Sequence, residues 1–137
     1  MSEPYTGGCA CGAIRYRIAG EPVVMLDCQC RQCQRESGTG HASHLTFQCD
    51  DIVVEGEASH WQLVGDGGLV KKRAFCPTCG SPVYMTFPAM PGYFVVRAAG
   101  LDDPTRYKPQ MICWAASNQP WDRVDPQLPK FEGMPPG

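Results

Sequence analysis

The chain has 137 residues, 43% of them hydrophobic and 19% charged, with a formal net charge of −2. That is enough polypeptide for one domain with a packed core, too apolar for a disordered chain, and too evenly charged for a nucleic-acid groove built on bulk positive charge. The 15 glycines and 13 prolines predict many turns and short strands rather than long helices.

Met1-Ser2-Glu3-Pro4-Tyr5 lacks the basic and apolar regions of a secretion signal, and no apolar run reaches the roughly 20 residues of a membrane span. The expected location is therefore the cytoplasm, with no membrane partner. Gly7-Gly8-Cys9-Ala10-Cys11-Gly12 sets a C-x-C between glycines. Residues 13–18 then alternate apolar and basic side chains, the period of a half-buried strand. Residues 23–26 form a short apolar run leading into Cys28-Gln29-Cys30-Arg31-Gln32-Cys33. Residues 31–37 read as a helical turn ended by Gly38, and residues 45–47 and 51–55 as short strands. Residues 59–64 and 69–75 flank Gly65-Asp66-Gly67-Gly68, which predicts a hairpin with a glycine-rich loop. Its Lys71-Lys72-Arg73 run is expected on an exposed hairpin edge, where charge discourages edge pairing. Phe75-Cys76-Pro77-Thr78-Cys79-Gly80 places a C-x-x-C between strand-like runs, and residues 82–87, 93–98 and 110–116 complete the strand set. The pattern predicts one all-β domain over residues 1–125. A proline-rich tail over 126–137 should lie along the surface or fray. Trp61, Trp114 and Trp121 are expected to pack in the core or between strands.

Cysteine is the outlier, at nine residues. Without a secretion signal these argue against structural disulfides, because the cytosol keeps thiols reduced. Clustered cysteines then mean metal ligation or redox chemistry. Short spacing lets one turn aim two thiolates at a single ion, with sulfur about 2.3 Å from zinc. The clustered thiols divide most naturally into Cys9, Cys11, Cys76 and Cys79, which would saturate a tetrahedral ion, and Cys28, Cys30 and Cys33, which would leave one position open. Spacing alone also allows Cys28 and Cys30 to join Cys76 and Cys79, and allows iron on four thiolates. A redox role for Cys76 and Cys79 would want a helix and a βαβ pattern, and their flanks read as strands. The isolated Cys49 and Cys113 read as small buried apolar side chains.

The order Gly7-Gly8-Cys9-x-Cys11-Gly12-x-x-Arg15-Tyr16, Cys28-x-Cys30-x-x-Cys33 with Ser37-Gly38, and Phe75-Cys76-x-x-Cys79-Gly80-Ser81 resembles the glutathione-dependent formaldehyde-activating enzyme (GFA/CENP-V) family. Ala99-Gly100-Leu101-Asp102-Asp103-Pro104, Pro120-Trp121 and Leu128-Pro129-x-Phe131-Glu132 agree with it, so the resemblance spans nearly the whole chain. It implies an all-β, Mss4-like β-tent of short antiparallel strands stapled by cysteine-ligated zinc. By position, Cys9, Cys11, Cys76 and Cys79 correspond to structural zinc ligands. Cys28, Cys30 and Cys33 correspond to the ligands of a catalytic zinc. The implied activity is that of a carbon–sulfur lyase, joining formaldehyde to the glutathione thiol as S-hydroxymethylglutathione. Gln29 and Met111 depart from the family, where histidine is frequent at both positions.

A glutathione-like thiol carries two carboxylates, and Arg31 and Arg35, which bracket the triplet, are the candidates to hold it. The histidines are expected at the surface or as hydrogen-bonded core residues; His41 and His44, soon after the triplet, rank ahead of His60 as proton carriers. The expected partners are a small thiol and an aldehyde, with no nucleic acid. The alternative is a non-catalytic, zinc-stabilised protein-binding module, because fold and metal carry over more readily than chemistry.

Overall fold

The computed structural model describes residues 3–65 and 67–135. Met1, Ser2, the hairpin-loop residue Asp66 and the tail residues Pro136 and Gly137 lie outside them. The strands are β1 (Tyr5–Gly8), β2 (Arg15–Ile18), β3 (Val24–Cys28), β4 (Ala42–Gln48), β5 (Ile52–Glu55), β6 (Ser59–Val64), β7 (Val70–Phe75), β8 (Pro82–Thr86), β9 (Tyr93–Arg97) and β10 (Met111–Cys113). Among the described residues the one α-helix, α1 (Arg31–Ser37), sits between β3 and β4, and three 3-10 turns follow β9. Among the described residues no helix is long and apolar enough to cross a membrane.

The strands form a three-stranded sheet, β1-β2-β5, and a seven-stranded sheet, β10-β3-β4-β9-β8-β7-β6. All pairings are antiparallel except β10 with β3. The expected all-β, largely antiparallel architecture is what the chain adopts. Period-two alternation drives it: in β2, Tyr16 and Ile18 turn inward while Arg17 faces water. Together with Ile14 they pack on Leu45, Phe47, Phe94 and Val96 of the large sheet. Each such buried side chain contributes roughly 1.5–3 kcal/mol. Cys9 and Cys76 belong to this core, so one cysteine cluster grows directly out of the seam between the sheets.

Four expectations need correcting. The first is that β7 is not an edge: it lies between β6 and β8, and Arg73 is only 3% exposed. It is tolerated there because Glu36 of α1 pairs with its guanidinium. The second is that Trp61 and Trp121 are 42% and 59% exposed; Trp61 stands on β6, an edge strand of the seven-stranded sheet. Third, the strand expected over 110–116 stops at Cys113, because Trp114 takes a left-handed conformation with φ 57° and a 3-10 turn follows. Fourth, β1 is an additional strand within the glycine-rich start. The tail lies along β10: Phe131 N–H donates to Ile112 O, and Trp114 N–H to Gly133 O, both at 2.9 Å.

Candidate metal centres and the adjoining cavity

The first cluster joins two loops that are far apart in sequence. Cys9 and Cys11 lie between β1 and β2, and Cys76 and Cys79 between β7 and β8. Each pair sits in a tight turn closed by a glycine at positive φ, Gly12 at 80° and Gly80 at 78°, a backbone form that glycine adopts without penalty. Gly12 N–H donates to Cys9 O at 3.2 Å and Gly80 N–H to Cys76 O at 2.8 Å. Backbone amides also turn toward the sulfurs: Ile14 N–H donates to Cys9 Sγ at 3.3 Å and Thr78 N–H to Cys76 Sγ at 3.4 Å. All four Sγ atoms fall within 4.8 Å of one another.

Four sulfurs placed tetrahedrally about 2.3 Å from one ion stand about 3.8 Å apart. Cys9 to Cys11 is 3.6 Å and Cys11 to Cys76 is 3.7 Å. The donor set therefore fits a closed four-thiolate metal site. Bonds from the Ser81 side chain and backbone pull the Cys79 thiol down to about 5, the direction that favours metal ligation.

The second cluster is local. β3 ends at Cys28, Cys30 caps α1 and Cys33 lies in its first turn, so a strand end and a helix start aim three sulfurs at one point. Cys33 N–H donates to Cys30 Sγ at 3.3 Å. The three Sγ atoms lie within 4.8 Å of one another and all three residues are buried. Hydrogen bonds from the Cys28 and Cys33 thiols pull Cys30 down to about 2. Bonds to Cys113 and Cys30 push Cys28 up, and bonds to Cys28 and Cys30 push Cys33 up. Three soft sulfurs converging on one point fit a thiophilic ion with a position to spare.

Cys113 is the residue that sequence reasoning left out. It is the register partner of Cys28 across the β10–β3 pair and packs in the same buried group. Its sulfur is not among the three that converge mutually. Its burial matches expectation; its position beside a candidate ligand had no local sequence signal.

A cavity of about 670 Å³ opens beside the four-cysteine cluster, lined among others by Arg15, Glu36, His41, Ser43, Arg97 and Asp102. Cys9 also reaches it, and the three buried cysteines do not. Arg15 donates from Nη1 to Asp102 at 3.0 Å and Arg97 to Glu36 at 2.5 Å, so its cations are already partnered by carboxylates. Arg31 and Arg35 are exposed on α1 and do not line it; Arg31 instead donates to Gln34 Oε1 at 2.5 Å. His44 is buried and, by desolvation and the nearby Arg97 and Arg73, pushed down to about 3, which leaves it neutral. His60 is exposed, 3.3 Å from the Tyr84 hydroxyl. Of the three histidines only His41 reaches the cavity.

The sequence profile described as glutathione-dependent formaldehyde-activating enzyme matches residues 4–117. A Halomonas elongata protein named "Putative glutathione-dependent formaldehyde-activating enzyme" is 29% identical over 125 residues, covering 87% of this chain and 80% of that protein. A crystal structure of a Rhodobacter sphaeroides protein superposes with a TM-score of 0.53 at 21% identity, covering 92% of this chain and 98% of that one. That last likeness speaks to the fold.

Proposed function

This chain belongs to the glutathione-dependent formaldehyde-activating enzyme family, and from that premise we propose that it makes and breaks a carbon–sulfur bond between a small, glutathione-like thiol and an aldehyde or related electrophile. The observation that carries this reading is the unequal pair of clusters, four converging thiols in one and three in the other. In it, Cys9, Cys11, Cys76 and Cys79 hold a structural zinc. Cys28, Cys30 and Cys33 hold a second zinc at the reaction centre. When bound there, zinc supplies a Lewis-acid site with an open position, at which a thiol loses its proton near neutral pH.

The chain's own side chains supply the rest. Arg15 and Arg97 offer guanidinium groups in the cavity for a carboxylate-bearing substrate, once a substrate carboxylate takes the place of Asp102 or Glu36. Arg31 and Arg35, on the outer side of α1, would meet the substrate as it arrives from solvent. The apolar surround of the three cysteines, with Leu26, Ala42 and half-buried Trp114, limits water around a thiolate and so preserves its nucleophilicity.

One observation favours a second reading, a metal-stabilised binding module without catalysis: none of the three cysteines lines the cavity. The metal-loaded protein, mixed with glutathione and formaldehyde and followed by exchange NMR, separates the two. Exchange faster than the spontaneous reaction, with two zinc ions per chain, supports the enzyme. Fully loaded protein that accelerates no pairing of small thiols with aldehydes overturns it.

A further inference from the structure

His41 stands on the cavity wall, immediately before β4. Its Nδ1 lies 3.0 Å from each carboxylate oxygen of Asp122. That carboxylate is 4% exposed, although its residue follows surface-exposed Trp121. Gln29, between two of the converging cysteines, donates from Nε2 to Asp122 Oδ2 at 3.0 Å and is itself buried. One carboxylate is thus fastened to the backbone turn of the three-cysteine cluster and to an imidazole on the cavity wall. The residues involved are separated by 93 and 81 positions in sequence.

Among the described residues the second ring nitrogen has no hydrogen-bond partner. Nε2 lies 3.9 Å from Asp27 Oδ1, too far for a hydrogen bond. Asp27 is already supplied by Ser43 Oγ at 2.9 Å and by the Tyr107 hydroxyl at 2.6 Å. A carboxylate on Nδ1 holds the proton on that nitrogen and leaves Nε2 to exchange protons with whatever enters the cavity. This is the base-and-orienter arrangement of general acid–base sites. An exposed His–Asp pair would be a surface ornament of little energy; burial of Asp122 and its second donor argue against that here.

We infer that His41 carries the proton in this reaction and that Asp122 is its positioning residue, an inference that rests on the carbon–sulfur reading above. The thiol S–H proton passes to Nε2. The sulfur lone pair forms the C–S bond, the C=O π pair moves onto oxygen, and that oxygen takes the proton back from Nε2. Thiol plus aldehyde gives hemithioacetal, with no oxidant and no net proton change; the reverse reaction runs through the same atoms.

The test uses the zinc-loaded full chain with glutathione and formaldehyde. His41→Ala should lower kcat by about 10²–10⁴, with KM, zinc content and Tm little changed, and free imidazole should restore activity by at least about tenfold. Asp122→Asn should cost about 10–100-fold with no rescue by imidazole. Nitrogen NMR of the wild type should show His41 as the Nδ1–H tautomer when neutral. Wild-type kcat in His41→Ala, a loss that imidazole does not rescue, or an Nε2–H tautomer overturns the inference. A wild type inactive on every thiol–aldehyde pair overturns instead the reading on which it rests.

Discussion

The two cysteine clusters use the same donor atom and differ in almost everything around it. One joins the β1–β2 loop to the β7–β8 loop, alternates buried with exposed cysteines, and brings sulfurs to 3.6 and 3.7 Å. The other lies within six consecutive residues, is buried throughout, and has Gln29 tied to Asp122 and His41 at the cavity wall. Long-range closure suits a structural site, since an ion binding there removes freedom from distant chain segments. A local, incomplete set closes no long loop; its value lies in the coordination position it leaves open. On the proposed reading, the difference in chain closure matches the difference in role assigned to the two clusters.

The largest effect should come from breaking the long-range cluster. Cys76→Ser removes a buried candidate ligand that is also part of the main core. The expected cost is several kcal/mol and a fall in Tm on the order of 10 °C or more, read by calorimetry, with activity lost alongside. Cys30→Ser should do the opposite: turnover falls by about 10³ or more, roughly 4 kcal/mol, while Tm moves by only a few degrees and zinc content drops by one ion. Equal losses of Tm in the two variants would end the distinction between a structural and a reactive cluster.

Burial within the large sheet also sets an acid response. His44 is pushed down to about 3 by desolvation and by Arg97 and Arg73, against an ordinary 6.5. Above pH 6.5 it is neutral folded and unfolded and contributes no pH dependence. As pH falls below 6.5 the unfolded chain takes the proton first, so stability should fall by up to about 1.4 kcal/mol per pH unit until about pH 3. His44→Gln should flatten that part of the slope in denaturant titrations, whatever its offset. An unchanged slope would mean that His44 is already charged in the fold.

Much of this was legible in sequence because its signals are local. Alternation in residues 15–18 gives β2, Gly38 ends α1, and the C-x-C, C-x-x-C and triplet spacings mark three sulfur-bearing turns. The misses share a physical origin in contacts between distant segments. β1 looks like a loop until Gly7 is seen against the 3-10 turn after β9, where a Cβ would lie 2.2 Å from Gly100 O. Arg73 reads as surface until Glu36 is placed beside it. Asp122 draws no notice in the sequence until it is seen against His41, 81 residues away. No window of the sequence contains those pairs.

The finest distinction concerns Cys113, the sulfur nearest to spoiling the contrast. A fourth thiolate at the local cluster would make both sites closed and leave nowhere for a substrate thiol to bind. Cys113 faces Cys28 across β10 and β3, yet it stands outside the group of three that converge. As a packing residue it fills space among Leu26, Ala42 and Trp114. On that basis Cys113→Ala should lose one buried sulfur's contacts, about 1 kcal/mol, with zinc content unchanged and turnover within about threefold of the parent. Sulfur counting at the metal by X-ray absorption checks the same point, with an average nearer 3.5 than 4 sulfurs per zinc for one closed and one open site. If Cys113→Ala instead sheds an ion, the local cluster is a four-thiolate site in the resting protein, and substrate must displace a resident sulfur before any chemistry begins.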